Sequence, residues 1–479
     1  MVGRCLQRLR RAILEPIIML GGASSAPPKR TRRQFILGLP PSRQVPPRPP
    51  RFDVAHLAFK LSGSGPGLVR RRMKKSSLAS ILLVVFIDLI GFGMIIPILP
   101  LYGKRFGASE WEIGFLLGSY SFVQFLASPV LGWFSDRYGR KPVLLCSLLG
   151  TAVGYFLMAR ADSLAMLFAA RILAGITGAS VGTASAYIAD ITPPELRSKR
   201  LGLIGAAFGV GFVLGPAIGG ILSHFWIAAP FWFAAALAAM NAVLMWFVLV
   251  EPARHADRQQ RTLNLRETFQ QAGSWRLGVL VVTYFIAIAG FGMVTVIFPQ
   301  VCDRRYSLNQ SQISYIFVMT GLIGALIQGG GIGRLSKRFG DASLAATGCA
   351  LMAASMVVMP SASTVPLFLL FAAGLAIGNS LSQPTLNALA SKGASAALQG
   401  RVLGVLQSAG SLGRVFGPVI AGLLLQEDHL QPIQQYGNTP FVAGGILIAV
   451  AFAFALTLRR SPAVQPEPPI QPDAELRHK

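Results

Sequence analysis

The chain is poor in cysteine, histidine and acidic residues, and each shortage removes a class of function. Its four cysteines, Cys5, Cys146, Cys302 and Cys349, are scattered, so they fit neither a disulfide framework nor a zinc-binding or redox spacing. The five histidines, His56, His224, His255, His429 and His478, fall in loops or tails. The apolar stretches hold no paired carboxylates, Ser/His/Asp set or metal cluster, which argues against an enzyme. No phosphate loop of the Gly-x4-Gly-Lys-Ser/Thr form is present, so ATP is not the direct drive and the energy has to come from an ion gradient, with no cofactor or metal. Charge as a whole is scarce: 13% of the 479 residues are charged and 53% are hydrophobic. Such a composition belongs to a polytopic membrane protein.

The charge that does occur is lopsided, with 44 Lys and Arg against 19 Asp and Glu. Residues 1–75 alone hold 17 of those basic residues, with only Glu15 and Asp53 to offset them. This segment is rich in Arg and Pro and shows no apolar period, so disorder is expected. Three readings of it stand side by side: an organellar leader, a basic arm for an anionic surface, or an upstream extension of a chain whose synthesis begins at Met73. The apolar run Ile13 to Leu20 is too short to span a bilayer, which takes about 20 residues. Because most of the surplus charge belongs to this tail, no nucleic-acid partner is expected.

From residue 77 onward, apolar stretches of spanning length recur between short polar loops. Twelve helices are predicted, at 77–101, 112–134, 142–160, 164–189, 201–224, 228–250, 277–300, 312–333, 342–361, 365–389, 402–425 and 439–458. The expected organisation is a basic segment 1–75, a six-helix half 76–250, a central loop 251–275, a second six-helix half 276–460 and a disordered tail 461–479. About sixteen basic residues, Arg137, Arg140, Lys141, Arg334, Lys337 and Arg338 among them, fall in loops on one side of the bilayer and about five on the other. By the positive-inside rule the richer side is cytoplasmic, with both termini inside. The setting expected is a bacterial inner membrane, and a monomer is expected within it.

The two halves repeat. Gly91-Phe92-Gly93-Met94 with Pro100 matches Gly290-Phe291-Gly292-Met293 with Pro299 at an offset of 199. Gly132, Ser135, Arg137 and Gly139 match Gly333, Ser336, Arg338 and Gly340 at 201, and Gly202, Gly211, Gly215, Pro216 and Gly220 match Gly404, Gly413, Gly417, Pro418 and Gly422 at 202. Two parallel repeats in a bilayer suit alternating access, in which the halves rock about a polar site near the midplane. The fold class predicted is therefore all-α, twelve transmembrane helices in two pseudo-symmetric halves.

An ionisable group at the centre of a membrane helix costs about 2.5 to 3.5 kcal/mol and generally faces a cavity or a partner. Three such groups are present: Asp88 in the first helix, Arg171 in the fourth and Arg414 in the eleventh. A carboxylate in a partly dry cavity can hold and release a proton, so Asp88 is the candidate proton carrier unless it merely pairs with a cation. Arg171 stays charged and is expected to tune a carboxylate or bind an anion. Arg414 either joins the site or satisfies carbonyls freed at the Gly417-Pro418 break. Gln124, Asn241, Gln328, Asn379, Gln383, Asn387 and Gln407 are cavity candidates, with hydrogen bonds between helices as their ordinary alternative.

The fifth helix carries Gly202, Gly211, Gly215, Pro216, Gly219 and Gly220. Small residues at spacings of three to four let two helices approach closely, and the proline permits a kink. The loop Gly132-Trp133-Phe134-Ser135-Asp136-Arg137-Tyr138-Gly139-Arg140-Lys141 is dense in charge. Positive-inside bias accounts for its basic residues but not for Asp136, which can latch a facing helix terminus or an arginine in one conformation.

From about Ser76 to Arg460 these features resemble the major facilitator superfamily, in its twelve-helix drug:proton antiporter branch near the tetracycline-efflux proteins. The resemblance implies that Gly132, Asp136, Arg137, Gly139, Arg140 and Lys141 form a gating motif, that Arg171 belongs to a motif linked to proton coupling, and that the fifth-helix pattern is an antiporter motif. It likewise implies that Asp88, Gly91, Gly93, Pro97 and Pro100 form the branch's first-helix motif. Tetracycline-efflux proteins carry an acid at the position aligned with Gly154 and another in the ninth helix, and both are missing here. The expected function is proton-coupled efflux of small amphipathic or drug-like compounds. A metabolite symporter or uniporter and a non-transporting membrane sensor or scaffold are the alternatives.

Overall fold

A computed structural model describes residues 66–178, 180–252, 274–393 and 399–460. The expected basic segment through residue 65, most of the central loop and the tail from 461 lie outside the described residues. Among the described residues are twelve helices long and apolar enough to cross a membrane: α1 Leu78–Ile95, α2 Glu110–Tyr138, α3 Arg140–Ala159, α4 Leu164–Ile191, α5 Arg200–Ser223, α6 Ala229–Val248, α7 Trp275–Tyr306, α8 Gln310–Phe339, α9 Asp341–Ser361, α10 Val365–Lys392, α11 Val402–Leu430 and α12 Ile433–Arg459. Helix is what such sequences must form, because a bilayer supplies no water to satisfy an open backbone.

Local chemistry sets the departures from the predicted spans. The helix of α1 begins at Pro66, well ahead of residue 77, and stops at Ile95. Pro97, which cannot donate to a helix ladder, sits in the turn that follows, and a separate short helix runs Leu99–Arg105. In α4 the helix Leu164–Thr177 is capped at Gly178 and resumes at Ser180. In α8 a π-helical turn covers Ile327–Gly331, three of whose five residues are glycine.

The duplication persists in detail. A capping box opens α2, where the Ser109 amide donates to Glu112 at 2.8 Å. Its counterpart opens α8, where the amides of Asn309 and Gln312 each donate to the other's side chain at 2.9 Å. Both α2 and α8 end at a glycine in the left-handed region, Gly139 at φ 113° and Gly340 at φ 78°, a conformation that other residues adopt only with strain.

Close approach of backbones holds each half together. A Cβ at Gly211 would stand 2.9 Å from the Leu89 Cβ, and one at Gly215 would stand 2.7 Å from the Ile90 carbonyl oxygen. These two glycines and Gly219 seat α5 on α1, while Gly413 and Gly417 seat α11 on α7 in the same way. Gly220 faces Ser314 of α8 instead, and Gly202 meets open space.

Among the described residues, the closest contacts between the halves gather toward one end. At the end away from the basic loops, here the far end, a Cβ at Gly114 would stand 2.5 Å from the Pro418 carbonyl oxygen, and one at Gly321 would stand 2.8 Å from that of Phe212. Toward the basic end the same helices separate, and Gly132, Gly202, Gly333 and Gly404 have nothing within 4 Å of a Cβ. The core divides accordingly. One large cluster joins both halves at the far end, around Met94, Ile113, Phe231, Phe298 and Phe441. Toward the basic end it gives way to a first-half cluster around Val84, Leu144 and Tyr187 and a second-half cluster around Leu280, Leu386 and Leu406. Among the described residues, the tight contacts between the halves therefore gather at the far end and thin out toward the basic end, leaving a cleft between them there.

Candidate functional site

The first half places a polar group at the depth where its helices should be apolar. Asp88, half-buried on α1, accepts a hydrogen bond from the Ser180 hydroxyl at 2.6 Å and has no ion-pair partner among the described residues. Ser180 can reach it because the helix of α4 restarts there, after the Gly178 break. Gln124 of α2 repairs that break, its amide donating to the Gly178 carbonyl at 2.5 Å and to the Tyr120 hydroxyl at 3.2 Å.

Arg171 is buried but does not pair with Asp88, contrary to the simplest form of the expected tuning. Its guanidinium lies over the Tyr120 ring, 4.5 Å from the centroid, and donates to the carbonyls of Leu117 at 3.3 Å and Leu116 at 3.5 Å. The facing α2 offers the arginine a ring and two carbonyls instead.

Arg414 of α11 donates to the Ser411 hydroxyl at 3.0 Å. It too lacks a carboxylate partner among the described residues. Among the described residues, Asp88, Arg171 and Arg414 thus form no ion pair with one another.

The amide candidates divide. Asn241 is fully buried and donates to the Val84 carbonyl at 2.8 Å, so it ties α6 to α1 and does not line the cleft. Sequence periodicity shows that such a residue is inside but not which neighbour it meets. Gln407 is exposed and donates to Asn387 at 3.4 Å, and Asn387 in turn donates to the Gln383 carbonyl at 2.9 Å. With half-buried Asn379 one turn further along, these make a polar stripe on α10 and α11. Gln328 is exposed on the π-helical turn of α8.

The gating loop is anchored within its own half. The Arg140 side chain is buried, pairing with Asp190 at 2.9 Å and Asp136 at 2.6 Å and donating to Ser135 at 2.9 Å. Glu251 accepts from the amides of Arg140 at 2.6 Å and Lys141 at 2.8 Å, satisfying orphan donors at the start of α3. A Cβ at Gly139 would strike that carboxylate at 2.7 Å, so the position requires glycine twice over. The Lys141 ammonium donates to the Trp246 carbonyl at 2.6 Å, and Arg137 lies over Trp133. A Cβ at Gly132 would meet nothing within 4 Å, and Asp136 is exposed and pairs with Arg140 of its own loop.

Sequence reasoning missed Tyr120, Ser180, Glu251 and, at the far end, Glu110. Glu110 had one available signal: it is an acid on the side of the chain that has few basic residues to match it. Among the described residues no group of His, Cys, Asp and Glu is arranged to hold a metal ion.

Comparison with known proteins fits this geometry. The sequence profile described as Major Facilitator Superfamily matches residues 81–277 and 280–478, once for each half. Tetracycline resistance protein, class C, of Escherichia coli is 36% identical over 358 residues, 72% of this chain and 88% of that protein. Multidrug resistance protein 1 of Bacillus subtilis (strain 168) is 31% identical over 397 residues, 81% of this chain and 99% of that one. Among solved structures, a bacterial homolog of the human lysosomal transporter Spinster, inward-facing and unoccupied, superposes with a TM-score of 0.66 at 17% identity, over 83% of this chain and 98% of that chain. A twofold profile match over nearly all the described helices, with relatives above 30% identity along most of their length, leaves one assignment: the chain belongs to the Major Facilitator Superfamily of membrane transporters, not to an enzyme family.

Proposed function

We propose that this transporter exports small amphipathic compounds, of the kind named in its tetracycline and multidrug resistance relatives, in exchange for protons. Asp88 carries the proton. The observation that supports this most is the setting of Asp88: a half-buried carboxylate within a membrane-spanning helix, bonded to a hydroxyl and, among the described residues, not to a cation, so its charge is free to change with each cycle.

On this reading the basic end faces the cytoplasm, both termini lie on that side, the chain works as a monomer in a bacterial inner membrane, and the conformation described is inward-facing. The organisation into a 76–250 half and a 276–460 half, joined by the 251–275 segment, supplies the two bodies that rock. The gating motif and the glycine faces of α5 and α11 are the parts that close the cytoplasmic end and keep each half rigid. The test uses liposomes containing the purified chain, acid inside, with a pH-sensitive dye. Addition of a transported amphipathic compound, tetracycline included in the panel, is expected to release protons; a panel that moves no protons, with the protein shown to be folded and inserted, would overturn the reading.

A further inference from the structure

The far-end seal contains a charged knot that the proton-carrying site does not use. Glu110, the first residue of α2, has its carboxylate almost wholly buried, at 2% exposure. Within the first half it accepts from the Lys104 ammonium at 2.5 Å. Its other partners belong to the second half: the Tyr436 hydroxyl at 3.2 Å, the Arg304 guanidinium at 4.0 Å, and His429, whose Nδ1 lies 2.9 Å from the carboxylate and 2.7 Å from an Arg304 nitrogen. The Glu110 amide adds a bond to the Gln426 side chain at 3.2 Å. Arg304 stacks on Tyr436, 4.4 Å from its ring centroid, and donates to the His429 carbonyl at 3.1 Å, so the groups that grip Glu110 are themselves fixed in place.

The repeat makes the asymmetry of this knot visible. Lys104 and Arg304 occupy the same place in the two halves, as do Glu110 and Gln310, each pair 200 residues apart. Both cations converge on Glu110. Gln310, the neutral counterpart at the α5–α8 seam, leaves its buried amide nitrogen without a partner. That second seam is held instead by uncharged contacts, the Ser311 hydroxyl donating to the Gly220 carbonyl at 2.8 Å and lying 3.2 Å from His224 Nδ1. One seam is thus a neutral contact and the other a buried carboxylate shared between the halves. A buried charge is tolerated only while its partners surround it, so parting of the halves at the far end must strip Arg304, His429 and Tyr436 from Glu110 and return the carboxylate to water.

We infer that Glu110 is the latch of the far-end gate, its negative charge holding the second half shut through Arg304, His429 and Tyr436 until the halves rock apart. This goes beyond the proton-carrying role assigned to Asp88 and depends on neither the substrate nor the coupling ion. Loss of the charge with the shape kept releases the latch and shifts the resting population toward a far-end-open form.

The test reads conformation, not transport. Spin labels at the exposed far-end positions Phe225 and Leu430, one in each half, report their separation by pulsed electron paramagnetic resonance in the full-length chain in lipid nanodiscs. The unsubstituted chain is expected to give one short-distance population. Glu110→Gln and, independently, Arg304→Met are each expected to add a longer one, with circular dichroism and melting temperature showing that the helices persist. A Glu110→Asp variant, which keeps the charge, is expected to retain the short population. An unchanged distance distribution in both Glu110→Gln and Arg304→Met would overturn the inference. Should Glu110→Gln fail to fold, Arg304→Met and Glu110→Asp decide it alone.

Discussion

Arg140 and Asp341 occupy the same place in the two halves, at the start of α3 and of α9, and carry opposite charge. Each pairs with the end of the next spanning helix, Arg140 with Asp190 at 2.9 Å and Asp341 with Lys392 at 2.6 Å. Each also bonds a serine one turn back, Ser135 and Ser336. The bridge has been kept through duplication while its polarity reversed, which is the behaviour of a scaffold contact indifferent to sign. The mid-membrane charges behave differently. At the offset of their own segments Asp88 falls on Ala287 and Arg414 on Phe212, while Arg171 falls in the uncharged run Leu369 to Leu375. A charge present in one half only serves something the scaffold does not need.

If the Asp341–Lys392 bridge is scaffold, its polarity should be exchangeable. Asp341→Lys is expected to lower stability by about 1–2 kcal/mol, less than a fully buried pair would lose because Lys392 is largely exposed. The double variant Asp341→Lys with Lys392→Asp is expected to recover most of that loss. Thermal unfolding in detergent measures both.

Asp136 is the contrasting case. It is exposed and pairs only within its own loop in the conformation described, so Asp136→Ala is expected to change the melting free energy by no more than about 0.5 kcal/mol. Turnover is expected to fall nonetheless, because on the proposed function this loop closes on the opposite half in every cycle. The pairing of unchanged unfolding with slowed transport in liposomes is the result to look for.

Gly215 tests the glycine face. Its Cα lies against the α1 backbone, with the Met94 amide nitrogen as close as the Ile90 carbonyl oxygen, 2.7 Å from where a Cβ would stand. Gly215→Val is expected to part α5 from α1 and cost about 1–3 kcal/mol through overpacking. Gly202→Ala, at a glycine that meets nothing, is expected to be near neutral in the same melting assay.

Most of the fold was legible in the sequence because a bilayer leaves few choices. Apolar length sets the spans, and the constant offsets between Gly91 and Gly290 or Gly215 and Gly417 mark the repeat. Asp88, Arg171 and Arg414 stood out for the same reason, as charges among apolar neighbours. Partners were a different matter. Nothing in the spacing of Arg171 distinguishes a carboxylate from the carbonyls of Leu116 and Leu117, and nothing around Asn241 separates the cleft from the α1 backbone. Glu110 was hidden because it starts a helix, where acids are ordinary, and because its partners Arg304, His429 and Tyr436 come from the other half of the chain.

The account turns on Asp88 carrying the proton, and one comparison tests it most directly. Liposomes containing the unsubstituted chain or Asp88→Asn are assayed with one transported compound in two modes: uphill movement driven by a pH gradient, and exchange of labelled for unlabelled compound with no gradient. Asparagine keeps the hydrogen bond with Ser180 but cannot exchange a proton. The account predicts that Asp88→Asn loses gradient-driven movement to the level of protein-free liposomes while exchange persists. Undiminished gradient-driven movement in Asp88→Asn would contradict it.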